Sequence, residues 1–318
     1  MLSIPRLLFY IGFVVVGALL MAPQGFAALA KEVANGKPPV LIATIRPLAL
    51  MAHDLAGDLV EIEVLLSGAS SPHDFSLTIG QALTLNDADM VLWVGPNVEA
   101  FMSKGVRRKR SLAMLDEEGG EGHGEDDNAG DSEDRHEKEH HAEHEATHVA
   151  RHPWLEVEAV KDYSERLTEA LVGLLPQHEA SLRERQQAFV SKLMQRKANI
   201  VAALGPYAEA RFLVHHDAYS GFVADYGLRQ PLTLTRVPHE RVSAKRLNAI
   251  AKEAASLHCL LAEASDEINA GRYAALLGLP VVSVDLLAAS ADIGDFDAYQ
   301  RAVADAFARC LSTKLSAR

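Results

Sequence analysis

The sequence predicts an α/β fold with two lobes of mostly parallel sheet, joined by a long rigid helix. Short β-branched runs alternate with helical patterns both before residue 100 and after residue 205, and this alternation is typical of parallel sheets covered by helices. Between the two regions lies a helical stretch that no proline or glycine interrupts. Apolar residues make up 48% of the chain, which is enough for packed cores.

The first 30 residues are predicted to be a secretory signal peptide, outside the fold. They contain Arg6, an apolar run at residues 7–20, and small residues at Ala28 and Ala30 that suit cleavage. A membrane anchor is the alternative, but the run is shorter than the roughly 20 residues that span a bilayer. We therefore expect an exported mature chain with no stable membrane insertion.

Residues 31–175 are predicted to form the first lobe. Apolar and β-branched runs predict buried strands there, and apolar residues at helical spacing predict helices between them. The strands are expected at residues 39–45, 60–66 and 90–95, and the helices at residues 47–55 and 78–88.

An acidic segment at residues 116–150 interrupts this lobe. It holds fourteen Asp or Glu against Arg135 and Lys138, and the resulting net charge of −12 equals that of the whole chain. The segment lacks the apolar residues of a core, so we expect a disordered loop. Because the rest of the chain has no net charge, the sequence offers no basic face for a nucleic acid.

Histidines are concentrated in this acidic loop, where five fall within residues 135–148. Four of them recur every fourth residue, so in a helix they would share one side, and neighbouring pairs could chelate a cation. We predict that this loop binds zinc weakly, as an accessory to a tighter site elsewhere in the chain. The alternative is a solvated linker whose histidines bind no metal. The five are His136, His140, His141, His144 and His148.

Residues 176–205 are predicted to be the linking helix, and residues 206–318 the second lobe. The helix would end at Leu204, because Gly205 and Pro206 follow, and its length would be about 40 Å. Strands of the second lobe are expected at residues 211–216, 231–236, 259–264 and 280–285, and a closing helix at residues 296–314.

Two cysteines, Cys259 and Cys310, lie late in the chain. In an exported protein two thiols are more often paired than free, although two buried reduced cysteines remain the alternative. A disulfide would tie the closing helix to the start of a strand. Closing a loop of about 52 residues would stabilise the fold by roughly 4 kcal/mol.

Candidate metal ligands follow from the predicted strands, because open parallel sheets bind ligands beyond the carboxyl ends of their strands. His216 and Asp285 each end a predicted strand, His73 lies in the loop after another, and His152 follows the acidic loop directly. Three imidazoles and a carboxylate suit tetrahedral zinc. The long spacings between them match no local zinc motif, so taken singly each signal is weak.

Three segments resemble the periplasmic solute-binding proteins of zinc ABC importers, the ZnuA type. They are "GASSPHDFSLTIGQALTLNDADMVLWVGPNVEAFM" at residues 68–102, "HPWL" at residues 152–155 and "HHDAYSGFVADYGL" at residues 215–228. The charged histidine loop, the long helix and the two cysteines occur in the family's order, so the resemblance covers essentially the whole mature chain. It implies a monomeric, non-catalytic protein that captures Zn²⁺ in the periplasm with high affinity and delivers it to an ABC-type membrane permease.

The resemblance also implies roles for individual residues. His73 and His152 would supply imidazole ligands from the first lobe, and His216 a third from the second lobe, with the metal between them. Asp285 matches a carboxylate position that serves as a fourth ligand in related proteins. The cysteine pair matches a disulfide of a close subgroup.

Two departures from the family pattern leave the fourth ligand open. Close relatives carry a glutamate directly before the first histidine, where this chain has Pro72. The usual Asp-Pro-Leu after the last strand is Asp285-Leu286-Leu287 here. Asp285, a water molecule and a loop histidine are all candidates for the fourth position.

Three other functions compete with zinc import. A manganese- or iron-binding protein is disfavoured, because three imidazoles with at most one carboxylate suit zinc better. A periplasmic zinc hydrolase would need an open coordination position and a positioned general base. Glu240, beside His239, is a candidate base, although "VPHERVS" is more typical of a solvent-facing loop. A zinc-storing or surface-adhesive protein is the third alternative.

Overall fold

A computed structural model describes the chain at residues 37–66, 68, 71–73, 75–102, 110–115, 152–236 and 240–313. The predicted signal peptide and the predicted acidic loop, with the five histidines at residues 136–148, lie outside these residues and stay predictions. Within the described ranges, no helix combines the length and the apolar character needed to cross a membrane.

Among its described residues, the first lobe contains four short strands and three α-helices. Its elements are β1 Val40–Ala43, α1 Arg46–Ala56, β2 Glu61–Val64, α2 Ile79–Asp87, β3 Met90–Trp93, β4 Ser111–Ala113 and α3 Val157–Leu174. The strands form one parallel sheet in the order β2-β1-β3-β4. Strand β4 was not predicted, because three residues next to the acidic segment give too short a pattern.

Local sequence signals explain where the helices of this lobe begin. Pro47 lies in the first turn of α1, where its missing N–H costs no helical hydrogen bond. Thr78 and Gln81 form a capping box at the start of α2, so two backbone N–H groups gain side-chain acceptors. Helix α2 therefore starts within one residue of its predicted position.

The second lobe repeats the arrangement of the first. Its elements are β5 Leu213–His216, α5 Ser220–Asp225, β6 Leu232–Thr235, α6 Ala244–Ala251, β7 Leu260–Glu263, α7 Glu267–Leu277, β8 Val281–Val284 and α8 Phe296–Leu311. Its strands are also parallel, in the order β6-β5-β7-β8. The predicted fold class is confirmed, because all strand pairs among the described residues are parallel.

The predicted linking helix is α4, Glu179–Leu204, which follows α3 directly. It buries one stripe of apolar side chains and leaves its other faces to solvent. Ion pairs fasten it to the start of α8: Arg196 Nη2 lies 2.7 Å from Asp297 Oδ2, and Lys192 Nζ lies 3.0 Å from Asp295 Oδ2. The buried stripe consists of Leu182, Phe189, Leu193, Ile200 and Leu204.

The largest of three apolar clusters among the described residues runs through both lobes, from β1 across α4 to α8. Residues Pro39–Arg318 accordingly group as one compact unit, so the predicted domain boundaries near residues 175 and 205 stay predictions. The predicted disulfide is present and joins Cys259, directly before β7, to Cys310 in the last turn of α8.

Candidate metal centre

Two neighbouring strands of the second lobe end in side chains that bind metals. His216 is the last residue of β5 and Glu263 the last residue of β7, and these two strands are hydrogen-bonded neighbours. Their parallel direction brings the carboxyl ends together. His216 Nε2 lies 3.0 Å from Glu263 Oε1, and the two residues are only 1% and 6% exposed.

The first lobe adds two histidines at the same place. His152 precedes a short 3₁₀ turn, Pro153–Leu155, and its Nε2 lies 3.5 Å from the same Glu263 oxygen. His73, in the loop after β2, is half-buried, and its ring centroid lies 5.3 Å from that of His152 and 6.5 Å from that of His216. The three imidazole rings therefore lie together at this end of the sheet, and two of them, His152 and His216, contact Glu263. In the described part of the chain, His73 belongs to neither group of candidate ligand atoms that lie within 4.8 Å of one another.

The spacing of these atoms fits a tetrahedral zinc ion. Metal–ligand bonds of about 2.0–2.1 Å place ligand atoms about 3.3 Å apart at the corners of a tetrahedron. The candidate ligand atoms of His152, His216 and Glu263 all lie within 4.8 Å of one another. These three residues are thus close to the spacing that zinc requires.

The charge state of Glu263 also favours a cation. Burial raises the pKa of this carboxyl group, but the hydrogen bonds and charges of His152 and His216 lower it by more. The pKa of Glu263 therefore lies well below its ordinary value, and the group is an anion at neutral pH.

Asp285 lies at the end of β8, and its carboxylate has other partners. Its two oxygens accept hydrogen bonds from the backbone N–H groups of Ala289 and Ser290, both at 2.8 Å. Of the two groups of candidate ligands found among the described residues, neither contains Asp285. The structure brings Glu263, rather than Asp285, into contact with the histidines.

Glu263 is not among the candidate ligands predicted from the sequence, although its place near the end of a predicted strand could have indicated it. It lies within the predicted strand at residues 259–264, so the argument from strand ends that selected His216 applied to it equally. What could not be seen was that β7 is the sheet neighbour of β5.

Comparison with known proteins identifies the family. The family described as "Zinc-uptake complex component A periplasmic", or ZnuA, matches residues 41–310. The chain belongs to this family.

Relatives in the ZnuA family cover most of the chain. The high-affinity zinc uptake system protein ZnuA of Haemophilus ducreyi is 34% identical over 294 residues, which cover 86% of this chain and 93% of that protein. Its counterpart in Yersinia pestis is 30% identical over 230 residues, covering 66% and 70%.

Solved structures support the fold. A crystal structure of ZnuA superposes with a TM-score of 0.69 at 20% identity, covering 87% of this chain and 100% of that one. The periplasmic zinc binding protein TroA from Treponema pallidum gives a TM-score of 0.68 at 18% identity, covering 86% and 99%. At these identities the likeness shows the two-lobed fold alone.

A second buried pair in this ZnuA-family chain lies next to the centre. His215 Nδ1 lies 3.3 Å from Asp266 Oδ2, and the His215 ring stacks on Tyr273 of α7. The hydrogen bond from His215 lowers the pKa of Asp266 below its ordinary value. The candidate ligand atoms of His215, His216 and Asp266 lie within 4.8 Å of one another, so this pair adjoins the metal centre through His216.

Glu240, the candidate general base of a hydrolase, lies outside the cluster formed by His152, His216 and Glu263. Glu240 is exposed, and its carboxylate accepts a hydrogen bond from the backbone N–H of Arg236 at 2.8 Å. Its neighbour His239 lies outside the described residues. Glu240 belongs to neither group of candidate metal ligands among the residues described.

Proposed function

We propose that this member of the ZnuA family binds Zn²⁺ as cargo in the periplasm and delivers it to an ABC-type membrane importer. The proposed ligands are His73, His152, His216 and Glu263. The observation that carries the proposal is that histidines from both lobes meet one buried carboxylate oxygen, at 3.5 Å and 3.0 Å. A monomeric state stays a prediction from the sequence.

The donor set supports zinc as the cargo. Three imidazole nitrogens and one carboxylate oxygen suit zinc, whereas manganese prefers sites with more oxygen ligands. Four side-chain ligands would also fill a tetrahedral shell and leave no open position for a reacting water molecule. The ZnuA family name describes an uptake component, which further favours binding over catalysis.

One sequence pattern, typical of zinc proteases, is a reason to test the chain for hydrolase activity. His-Glu-x-x-His occurs twice in the acidic loop, at residues 136–140 and 144–148. In zinc proteases this pattern works on a helix, with two histidines on one face and the glutamate as base. Both copies lie outside the described residues, so a peptidase assay on the zinc-loaded mature chain is the appropriate test. We expect no turnover.

Isothermal titration calorimetry with zinc tests the proposed site. The mature chain is expected to bind one zinc ion tightly, with further weak binding that disappears when residues 116–150 are deleted. His73→Ala should abolish the tight site. His53→Ala is the matched control, because His53 is 62% exposed and lies in the same lobe. Tight binding that vanishes with residues 116–150 but ignores His73 would refute the proposal.

The same titration decides the fourth ligand. Glu263→Gln should weaken tight zinc binding by about 100-fold or more, because even a residue that only supports a metal ligand is commonly worth 10- to 100-fold. Asp285→Asn removes a charge from the end of the neighbouring strand and should leave tight binding within a few fold. The reverse order of effects would make Asp285 the ligand.

A further inference from the structure

The loop between β8 and α8, residues 285–295, follows a strand of the second lobe but is held by the first lobe. Arg46, at the start of α1, directs its guanidinium group at three backbone carbonyls of this β8–α8 loop. Its Nη1 donates to the carbonyl of Ala288 and, at 2.7 Å, to that of Ser290, and its Nη2 donates to that of Ile293 at 2.7 Å. One side chain of the first lobe thus fixes three points of the loop.

The same loop contacts both segments of the first lobe that carry proposed zinc ligands. Trp154, two residues after His152, donates its indole N–H to the carbonyl of Leu286 at 3.0 Å. Gly68, five residues before His73, packs so closely on the loop that a Cβ atom there would lie 2.1 Å from the Cβ of Ala289. A shift of the loop would therefore disturb the surroundings of both histidines.

The loop also begins beside the ligands of the second lobe. Val284, the last residue of β8 before the loop, is the register partner of Glu263 on β7. Asp285 then fixes the first turn of the loop by accepting hydrogen bonds from Ala289 and Ser290. The β8–α8 loop is consequently a direct connection between the two halves of the metal centre.

The backbone of the loop depends on these contacts. Ala288 has φ of +54°, and it is the one residue other than glycine with positive φ in the described part of the chain. Residues with a Cβ atom rarely adopt this conformation, and it persists where surrounding contacts impose it. The carbonyl of Ala288 is one of those that Arg46 binds, so Arg46 helps to impose it.

We propose that Arg46 is a positioning residue for the cargo. Through the β8–α8 loop it holds the two lobes at the spacing at which the histidines of the first lobe meet His216 and Glu263, and it thereby slows zinc release. This inference rests on the proposed function, and it assigns to Arg46 no contact with the metal.

Zinc dissociation from the loaded mature chain, followed after mixing with an excess of a chromogenic chelator, tests this role. Arg46→Met keeps the alkyl stem but removes the donors of all three hydrogen bonds. We expect release to become at least about tenfold faster, since the net loss of even one or two of them produces roughly that ratio. Stoichiometry should stay at one tight zinc per chain, because the ligands remain. Arg46→Lys keeps a charged donor and should give an intermediate rate.

Arg185→Met is the matched control. Arg185 donates to the carbonyl of Ala56 and so also fastens α1 through an arginine and a backbone carbonyl. This contact lies at the opposite end of the helix, about 15 Å along its axis from Arg46. Release from this variant should match that of the parent. Equal acceleration in Arg46→Met and Arg185→Met, or none in either, would overturn the positioning role.

Two further results separate the possible failures. A parent chain without a tight zinc site would overturn the proposed function itself. Circular dichroism checks that Arg46→Met folds. If it does not fold, Arg46→Lys becomes the deciding variant. A zinc release rate of Arg46→Lys equal to that of the parent would then count against the role of the guanidinium group.

Discussion

Glu99 is a buried carboxyl group that the metal centre does not use. It lies in the loop after β3, is fully buried, and accepts a hydrogen bond from the backbone N–H of Val94 at 2.6 Å. Burial raises the pKa of Glu99 from 4.5 to about 7, and the hydrogen bonds from Thr44, Val94 and Gly95 offset only part of that effect. At mildly acidic pH the folded chain therefore holds a proton that the unfolded chain releases.

This difference predicts how stability depends on pH. Because the folded pKa is the higher one, the contribution of the Glu99 proton is fully present below about pH 4.5 and is lost as pH rises to about 7. The loss should reach about 3 kcal/mol of the free energy of unfolding. Glu99→Gln mimics the protonated group, so urea unfolding of this variant should lack that part of the decline between pH 4.5 and 8.

A matched exposed residue serves as the control for this experiment. Glu169→Gln alters a solvated carboxylate that pairs with Arg183, and it should leave the decline between pH 4.5 and 8 unchanged. A Glu99→Gln variant whose stability falls with pH as steeply as that of the parent would show that Glu99 is ionised throughout.

Single residues also mark the limit of the sequence analysis. His73, His152 and His216 could be proposed as ligands from the sequence, since a histidine in a distinctive segment can be recognised without knowing its neighbours. Glu263 was not found, because a glutamate inside a strand becomes a candidate ligand only when the adjacent strand is known to end in His216.

At the scale of elements, the disulfide connects the strand that carries Glu263 to the closing helix. Cys259 directly precedes β7, and Cys310 lies in the last turn of α8. For a sequence separation of 51 residues, chain entropy predicts a stabilisation of about 4 kcal/mol. Replacing both cysteines by alanine should lower the free energy of unfolding by about that amount, measured by urea denaturation.

Zinc stoichiometry serves as the internal control for the cysteine variant. The side chain of Glu263 is untouched, so the double variant should still bind one zinc ion tightly below its unfolding transition. An unchanged denaturation midpoint would mean that the packing of α8 holds the strand without the covalent link.

Elements were predicted well where the pattern is long or capped. The linking helix was expected at residues 176–205 and spans Glu179–Leu204, because nothing in the stretch interrupts helical hydrogen bonding until Gly205 and Pro206. Strand β4 was missed because a three-residue strand takes its stability from β3 beside it rather than from its own sequence.

At the scale of the whole molecule, zinc should stabilise the fold because its proposed ligands come from both lobes. A ligand that binds only the folded state adds about 2.7 kcal/mol at a free concentration 100 times Kd. Thermal unfolding should therefore shift to higher temperature with zinc, in the intact chain and after deletion of residues 116–150. His73→Ala should lose the shift, and a shift that depends instead on residues 116–150 would contradict a site between the lobes.

The sequence by itself determined the fold class, the linking helix and the cysteine pair. Through the resemblance to the ZnuA type it also proposed the three histidines as ligands. These features depend on periodicity along the chain or on distinctive local segments, and both can be seen in one dimension. The tertiary structure alone decided the rest. The order of strands in a sheet places Glu263 beside His216, and tertiary packing places Arg46 against a loop more than 200 residues away in the chain. Strand order and long-range packing follow from how whole elements bury their apolar faces against one another, and no local pattern encodes that arrangement.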